Sequence, residues 1–502
     1  MSVSKTGFRD NSSSSEASRR DFQSARLMIS AVGASVIFAI LFYFWDTAPA
    51  RSVRHWGALL PFVLAVALTL GGSIFLKDQF AVRKEMRKPQ QVLRDFLFMF
   101  SLALFLFAVA KGAFEFLTVK PDFGRLTDTR IFAYLIPISA FAMVVRVLKN
   151  FEAAIMFTVT ASVLSTVAVS GQWPELLFLL LSGTAGAGGA VKIMDRYKIL
   201  RAGLFTVPVC AVTAGVLEYA FSGGGQAIQA CLIGAVNGLI VGPVALAVMP
   251  TSEYVFGYAS DIRLVEMAST SSSLLFRLMV YAPGTFNHSV TVGVLAEAGA
   301  HAIGANSVLC RAAALYHDIG KTGKPQYYSE NQAGTENLHD ALSPGLSRMV
   351  ILSHVKEGVK MAREAGLGDR VVEIIEQHHG TSFLYCFLNK AKPMIEDRKA
   401  SEEMFRYPGP RPKTKEAAIV MIADATEATI RSMNSPSSQE VEETVNGIVN
   451  RIYLDGQLDE CEVTLRELHT LSEAISHVLI AITHRRIDYP ACDEDEAADG
   501  ET

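Results

Sequence analysis

The sequence predicts an all-α protein: a polytopic helical membrane domain followed by a helical cytoplasmic domain. Three observations carry that expectation. Eight apolar stretches precede residue 250, most of them long enough to cross a hydrocarbon core of about 30 Å. After Pro250, apolar residues recur at helical spacing between short loops, with no clear run of alternating strands. Imidazoles and carboxylates then cluster at the ends and inside of five successive helices, in the pattern of metal ligands.

Composition sets the outer bounds. A chain of 502 residues that is 50% hydrophobic has room for two domains, one of them in lipid. A formal net charge of −4 excludes a bulk polyanion binder, so no DNA or RNA polymer is an expected partner. Cys210, Cys231, Cys310, Cys386, Cys461 and Cys492 are scattered without a CxxC pair. They read as reduced or buried thiols, not as a disulfide framework or a zinc site.

Residues 1–24 are polar and serine-rich and read as a disordered cytoplasmic tail. Residues 25–250 read as the membrane domain of about eight spans, at roughly 27–45, 56–76, 96–118, 131–148, 151–170, 175–192, 203–221 and 227–249. The first lacks a small-residue cleavage site, ending in FYFWDTAPA, and so reads as an anchor. Alternate loops carry twelve basic residues against five, which places the basic loops, both termini and everything after the last span in the cytoplasm. Lys111, Glu115 and Glu218 lie toward span ends and read as snorkelling side chains. The small-residue run SGTAGAGGA (182–190) reads as a site of close helix packing.

Residues 251–281 form a connector, 282–490 the soluble domain, and 491–502 an acidic solvated tail. His288 opens the first soluble helix. His317 and Asp318 end the second, His354 lies in the third, and His378 and His379 end the fourth. Asp424 sits inside the fifth, on the otherwise apolar AAIVMIADATEA. An isolated buried carboxylate is costly, and a cation is its simplest partner. Seven N/O ligands exceed what one divalent ion needs, and one shared carboxylate can bridge two, so the set points to a two-metal hydrolytic centre. His55, His301, His469, His477 and His484 lack such companions and read as structural or surface residues. His339, followed by Asp340, reads as a substrate-wall or structural residue.

YHDIGK (316–321), with FNHS upstream and QHHGTS (377–382) and ADATEA downstream, resembles the HD superfamily of metal-dependent phosphohydrolases. More narrowly, the chain is similar to the seven-transmembrane HD cyclic di-AMP phosphodiesterases. The matching stretches also include APGTFNHS (282–289), ENQAGTENLHDALSP (330–344), SHVKEGV (353–359), FRYPGPRPKTKEAAIVMIADATEA (405–428), DGQLDECEVTL (455–465) and RRIDYP (485–490).

The resemblance implies one metal on His288, His317, Asp318 and Asp424 and another on Asp318, His354, His378 and His379, with Asp318 bridging. It implies manganese or iron as the two divalent ions, and hydrolysis of cyclic di-AMP to linear pApA by an enzyme in the bacterial inner membrane. Within the motif, Asp318 and Lys321 are the expected catalytic pair, with Lys321 on a phosphate oxygen. His339, Arg406, Tyr407 and Lys413 are expected substrate contacts: Arg406 on a second phosphate, Tyr407 against a base. The reading leaves room for a homo-oligomer. Members of the family usually carry a large extracytoplasmic domain between the first two spans. Here that gap is the short DTAPARSVRH, which puts external sensing through such a domain in doubt.

Two alternatives stand beside this one. Another HD enzyme would act on a mononucleotide or on cyclic di-GMP, though Gly380-Thr381-Ser382 after the histidine pair lacks the GYP element of the latter class. A non-catalytic receptor would bind a nucleotide and signal through the membrane part; a lost ligand would favour it, and none is lost.

Overall fold

The chain divides into two compact units, Met1–Phe256 and Gly257–Thr502. A computed structural model describes residues 89–119, 129–169, 172–191, 193–222, 225–332, 337–385, 387–388 and 403–483. The expected tail 1–24, the first two expected spans and the acidic tail 491–502 lie outside these.

In the first unit the helices are α1 (Pro89–Val119), α2 (Ile138–Leu148), α3 (Phe151–Ala168), α4 (Trp173–Gly189), α5 (Arg196–Ser222) and α6 (Ala227–Phe256). They occupy the six expected spans between residues 96 and 249. Among the described residues, five segments are long and apolar enough to cross a membrane: Leu93–Phe116, Ile131–Leu148, Phe151–Ala168, Arg196–Phe221 and Ala227–Phe256. The helix of the sixth expected span, α4, has 17 residues. The last span runs through Pro250 to Phe256, six residues beyond the boundary expected from sequence.

Lipid gives apolar helices no hydrophobic reason to associate, so close backbone approach must supply the attraction. Gly234, Gly238 and Gly242 repeat every fourth residue on α6 and meet α5 backbone to backbone. A Cβ on Gly234 would lie 2.4 Å from the Cys210 carbonyl oxygen, and one on Gly238 2.4 Å from Val207 Cα. The expected packing segment behaves similarly in its first part. A Cβ on Gly186 would fall 2.3 Å from the Ser139 carbonyl oxygen, whereas Gly188 faces open space.

One span is broken. A 3-10 segment, Thr129–Leu135, precedes Pro137, and α2 begins after it. Proline cannot donate to the preceding turn, and an unsatisfied carbonyl in hydrocarbon is costly. The buried Asn237 amide on α6 answers this by donating to the Tyr134 oxygen (2.7 Å) and the Ile136 oxygen (2.9 Å).

In the second unit the helices are α7 (Asp261–Met267), α8 (Ser273–Tyr281), α9 (Pro283–Ala302), α10 (Ser307–Tyr316), α11 (Pro344–Glu364), α12 (Asp369–Gln377), α13 (Lys415–Arg431), α14 (Ser438–Leu454) and α15 (Leu465–Thr483). Among the described residues there is no strand, only an isolated bridge between Phe383 and Arg406. Helix starts are set by Asn306, Ser343, Thr414 and Ser437, whose side chains accept from the third backbone N–H of α10, α11, α13 and α14. Each such cap contributes about 1 kcal/mol. Ala417–Asp424 of α13 is buried without interruption. It packs with α9 and α10 in a core that includes Leu295, Ala313, Ile422 and Leu471. Burial of each such large aliphatic side chain stabilises by about 1.5–3 kcal/mol. That core fixes the helices from which the polar cluster projects.

Candidate metal centre

Helix ends deliver most of the cluster. His317 caps the C-terminus of α10, Asp318 follows it, and the chain turns through the 3-10 segment Ile319–Gly323. Gly320 lets that turn lie on the backbone of α11: a Cβ there would fall 2.0 Å from the His354 carbonyl oxygen. His378 caps α12, and Gly380 reverses the chain with φ +53°. His288 projects from the first turns of α9, and Asp424 from the middle of α13.

All seven expected ligands come together, in two groups: His288, His317 and Asp424, and Asp318, His354, His378 and His379. Asp318 faces both. Its Oδ2 lies 3.2 Å from His317 Nε2 and 3.7 Å from His288 Nε2. Its Oδ1 lies 3.3 Å from His354 Nε2 and 3.8 Å from His378 Nε2. Asp424 Oδ1 is 3.0 Å from His288 Nε2, and its Oδ2 is 3.7 Å from His379 Nδ1.

The donor set fits divalent cations. His317, His354 and His378 each commit Nδ1 to the carbonyl three residues earlier, on Ala314, Ile351 and Ile375, at 2.7, 2.6 and 2.7 Å. A carbonyl only accepts, so each Nδ1 carries the proton and each Nε2 lone pair points inward. The Nε2 atoms of His354 and His378 then face each other at 3.4 Å. The buried His317 Nε2 and Asp318 Oδ1 make no hydrogen bond. Converging lone pairs without donors are what a cation resolves.

Charge is divided unevenly across the cluster. Burial opposes charge on His317, but Asp318 and Asp424 outweigh it and push its pKa up to about 10. His288 also moves up, burial being outweighed by Asp424 and Glu427. Burial takes His378 down to about 3, with the charge of His317 adding to it. His354 and His379 are likewise depressed, chiefly by burial. Burial would raise Asp318 and Asp424, yet Lys321 and His317 for the first, and His288 and His317 for the second, hold both well below the usual carboxylate range.

The remaining expected residues fall differently. Lys321 is held by Asp318 and Glu330, not left open towards a phosphate. Arg406 donates to the Thr381 oxygen at 2.7 Å and makes a two-pronged pair with Asp455, while its guanidinium lies over the Phe383 ring. Those contacts zip the loop of Arg406 to the chain after the histidine pair. Tyr407 stacks on His379, ring centroids 4.2 Å apart. His339 donates from Nε2 to the Tyr327 oxygen at 2.8 Å and lies outside both ligand groups. Lys413 is half exposed and 3.8 Å from Glu460.

Sequence reasoning passed over two carboxylates. Glu330 pairs with Lys321, and Glu427 pairs with His288 Nδ1. Glu427 lies three residues after Asp424, a spacing that puts both on one helix face. A hollow of about 290 Å³ opens beside them, lined in part by His288, Glu330, Glu427 and Arg431.

Comparison with known proteins places the two units. Residues 56–260 match the family model described as a 7TM receptor with intracellular HD hydrolase, and residues 285–429 match the HD domain. The chain is 38% identical over 366 residues to the cyclic-di-AMP phosphodiesterase PgpH of Bacillus subtilis, covering 71% of this chain and 51% of that one. It is 35% identical over 377 residues to PgpH of Listeria monocytogenes, covering 71% and 50%. The chain thus spans about half the length of the curated relatives it matches. The crystal structure of the L. monocytogenes PgpH HD domain in complex with cyclic-di-AMP shares 42% identity, covers 43% of this chain and 99% of that chain, and superposes with a TM-score of 0.41.

Proposed function

We propose that this chain, which belongs to the 7TM receptors with intracellular HD hydrolase, is a membrane-anchored phosphodiesterase that hydrolyses cyclic di-AMP to linear pApA. The observation that carries the reading is the placement of Asp318, one oxygen toward each ligand group. The substrate assignment rests on the two PgpH relatives.

A phosphodiester is anionic and resists attack by water. Two divalent cations, manganese or iron, would neutralise its oxygens and lower the pKa of a bound water. The protein's part is to hold that charge in place. Asp318 and Asp424 would supply anionic oxygens, and the inward Nε2 atoms of His288, His317, His354 and His378 would supply neutral donors once a cation takes the place of the proton that the two carboxylates favour on His288 and His317. Tyr407 holds His379 by stacking on it. Lys321 holds the oxygen of Asp318 that faces His317. Lys413, half exposed, is the basic side chain we assign to the second phosphate, with His339 on the wall. In the reaction, water adds to one phosphorus and the bond to a ribose 3′ oxygen breaks, leaving a 5′ phosphate and a 3′ hydroxyl. The distribution of basic residues among the loops supports a cytoplasmic position for this chemistry.

The test is to load the full-length protein with manganese and offer it cyclic di-AMP, cyclic di-GMP and mononucleotides. Release of pApA, faster than any other product, is expected. Intact cyclic di-AMP beside rapid cleavage of another nucleotide overturns the substrate assignment. Cleavage of none, by a protein that holds two ions, favours the receptor.

A further inference from the structure

We propose that Glu427 is a positioning residue: it fixes the tautomer and ring orientation of His288 and makes the His288–His317–Asp424 side the tighter of two cation sites. The inference rests on the metal-centre reading above and adds an inequality between its halves.

Three of the cluster's histidines orient themselves in one way. Each sends Nδ1 to the backbone carbonyl three residues back on its own helix. His288 does not. Its Nδ1 meets the carboxylate of Glu427, from a different helix. Nε2 faces Asp424 at 3.0 Å, so a cation held at Nε2 would leave the proton on Nδ1, as in the other three, but the partner is now an anion. A carboxylate behind an imidazole makes the ring a stronger donor than a neutral carbonyl does. Glu427 also adds negative charge on one side only. Beside His288 and His317 stand Asp424, Glu427 and one oxygen of Asp318. Beside His354, His378 and His379 stand the other oxygen of Asp318 and Asp424 Oδ2, the latter 3.7 Å from His379 Nδ1. Lys321 pairs with the Asp318 oxygen of the first side, so Glu427 is the anion that distinguishes the two. A hard divalent cation is retained better where anionic charge is greater.

A plainer role for Glu427 is its pair with Arg431, one turn on along α13. That contact is 3.6 Å, and the arginine side chain is 42% exposed. Such a pair is weak in water, although Arg431 lines the same hollow as His288 and Glu427. The two roles separate by experiment.

Full-length protein in detergent is stripped of metal and titrated with manganese alone, counting bound ions per chain by elemental analysis. The wild type is expected to bind two ions with unequal affinities. Glu427→Ala should weaken the tighter one by about 10- to 100-fold and leave the other unchanged. Glu427→Gln keeps an acceptor for Nδ1–H and should lose less, yet measurably. Arg431→Ala should match the wild type, and His354→Ala should remove the weaker ion. Unchanged affinities in Glu427→Ala overturn the assignment. Should that variant fail to fold, unchanged affinities in Glu427→Gln do the same. Equal losses in Glu427→Ala and Arg431→Ala would reduce Glu427 to its salt bridge. A wild type that holds no manganese overturns the metal centre itself, a result distinct from failure of Glu427 alone.

Discussion

Lys321 sits between Asp318 and Glu330, its Nζ 2.6 Å from Asp318 Oδ2 and 2.9 Å from Glu330 Oε1. Glu330 in turn accepts from the Thr285 hydroxyl at 3.0 Å. Thr285 lies in the first turn of α9, three residues before His288. The lysine of YHDIGK therefore ties Asp318 to the helix that carries His288, a member of the other group. Its charge is spent on two buried carboxylates.

Removing that charge leaves both carboxylates uncompensated. Lys321→Met should cost about 3–5 kcal/mol, the usual result of breaking a buried pair from one side. Burial would raise Glu330, but Lys321 outweighs it and holds the carboxyl below its usual value. A depressed carboxylate contributes stability above its unfolded pKa, about 4.3, and loses it as pH falls through the lower folded value. Wild type should therefore keep this increment down to about pH 4.3 and lose it below, so the gap to Lys321→Met should narrow as pH falls from about 4 to about 3. Thermal unfolding at a series of pH values reads it; a gap that stays constant from pH 7 down to pH 3 removes the pairing as its cause.

Asp318 presents one oxygen to each ligand group, whereas Asp424 faces chiefly His288. Asp318→Ala should accordingly reduce manganese per chain at both sites, and activity by at least about 100-fold, two decades or about 2.7 kcal/mol of barrier. Asp424→Ala should weaken one site primarily. Elemental analysis of both variants decides it. Two ions retained at wild-type affinity in Asp318→Ala would remove the bridge.

Arg406 offers a sharper test of the loop it closes. Its bonds to Thr381 and Asp455 predict a loss of stability on Arg406→Ala, about 1–3 kcal/mol for charged hydrogen bonds. A double-mutant cycle with Asp455→Ala should return a coupling of about 1 kcal/mol. A phosphate-gripping arginine would instead raise KM and leave the melting temperature alone. That outcome would restore the substrate role expected from sequence.

Most of the candidate ligands were legible in the sequence because they sit at a helix end or on a strongly apolar face; His354, in the middle of α11, was legible only with the rest of the set. At a helix end or on such a face, a polar residue is conspicuous: Asp424 within AAIVMIADATEA, His378 and His379 just before Gly380. Their partners were not. Glu427 resembles any other glutamate near the end of a helix, and only the crossing of α9 and α13 brings it to His288. Glu330 lies in a polar loop that reads as solvated until Lys321 reaches it. Arg406 was open to a phosphate role because nothing local announces Asp455, nearly fifty residues on. Helix existence and type follow from local pattern; the pairings that decide which charges remain available are long-range. The membrane unit repeats the lesson. The run 182–190 announced close packing by composition, while the GxxxGxxxG of Gly234, Gly238 and Gly242 passed as ordinary span residues and makes backbone contacts just as close.

Asn237 provides the last prediction, and it concerns the broken span. Its amide donates to two carbonyls, those of Tyr134 and Ile136; the Ile136 oxygen also accepts from the Ile138 N–H at 2.8 Å, so the break before Pro137 bears chiefly on the Tyr134 carbonyl. Asn237→Leu fills the same volume and removes both donors. In water a carbonyl that lost its donor would find solvent. In the membrane interior it has none, so the variant should lose stability, about 0.6–1.7 kcal/mol per lost interhelical bond by the range measured in bilayer proteins. Pro137→Ala restores a backbone N–H and removes the ring that enforces the break. The double variant should therefore recover part of the loss, because a continuous helix satisfies its own carbonyls. Thermal unfolding of the full-length protein in lipid nanodiscs reads both effects. If Asn237→Leu melts with the wild type, or if Pro137→Ala adds to its damage, the amide is not the cap of this break.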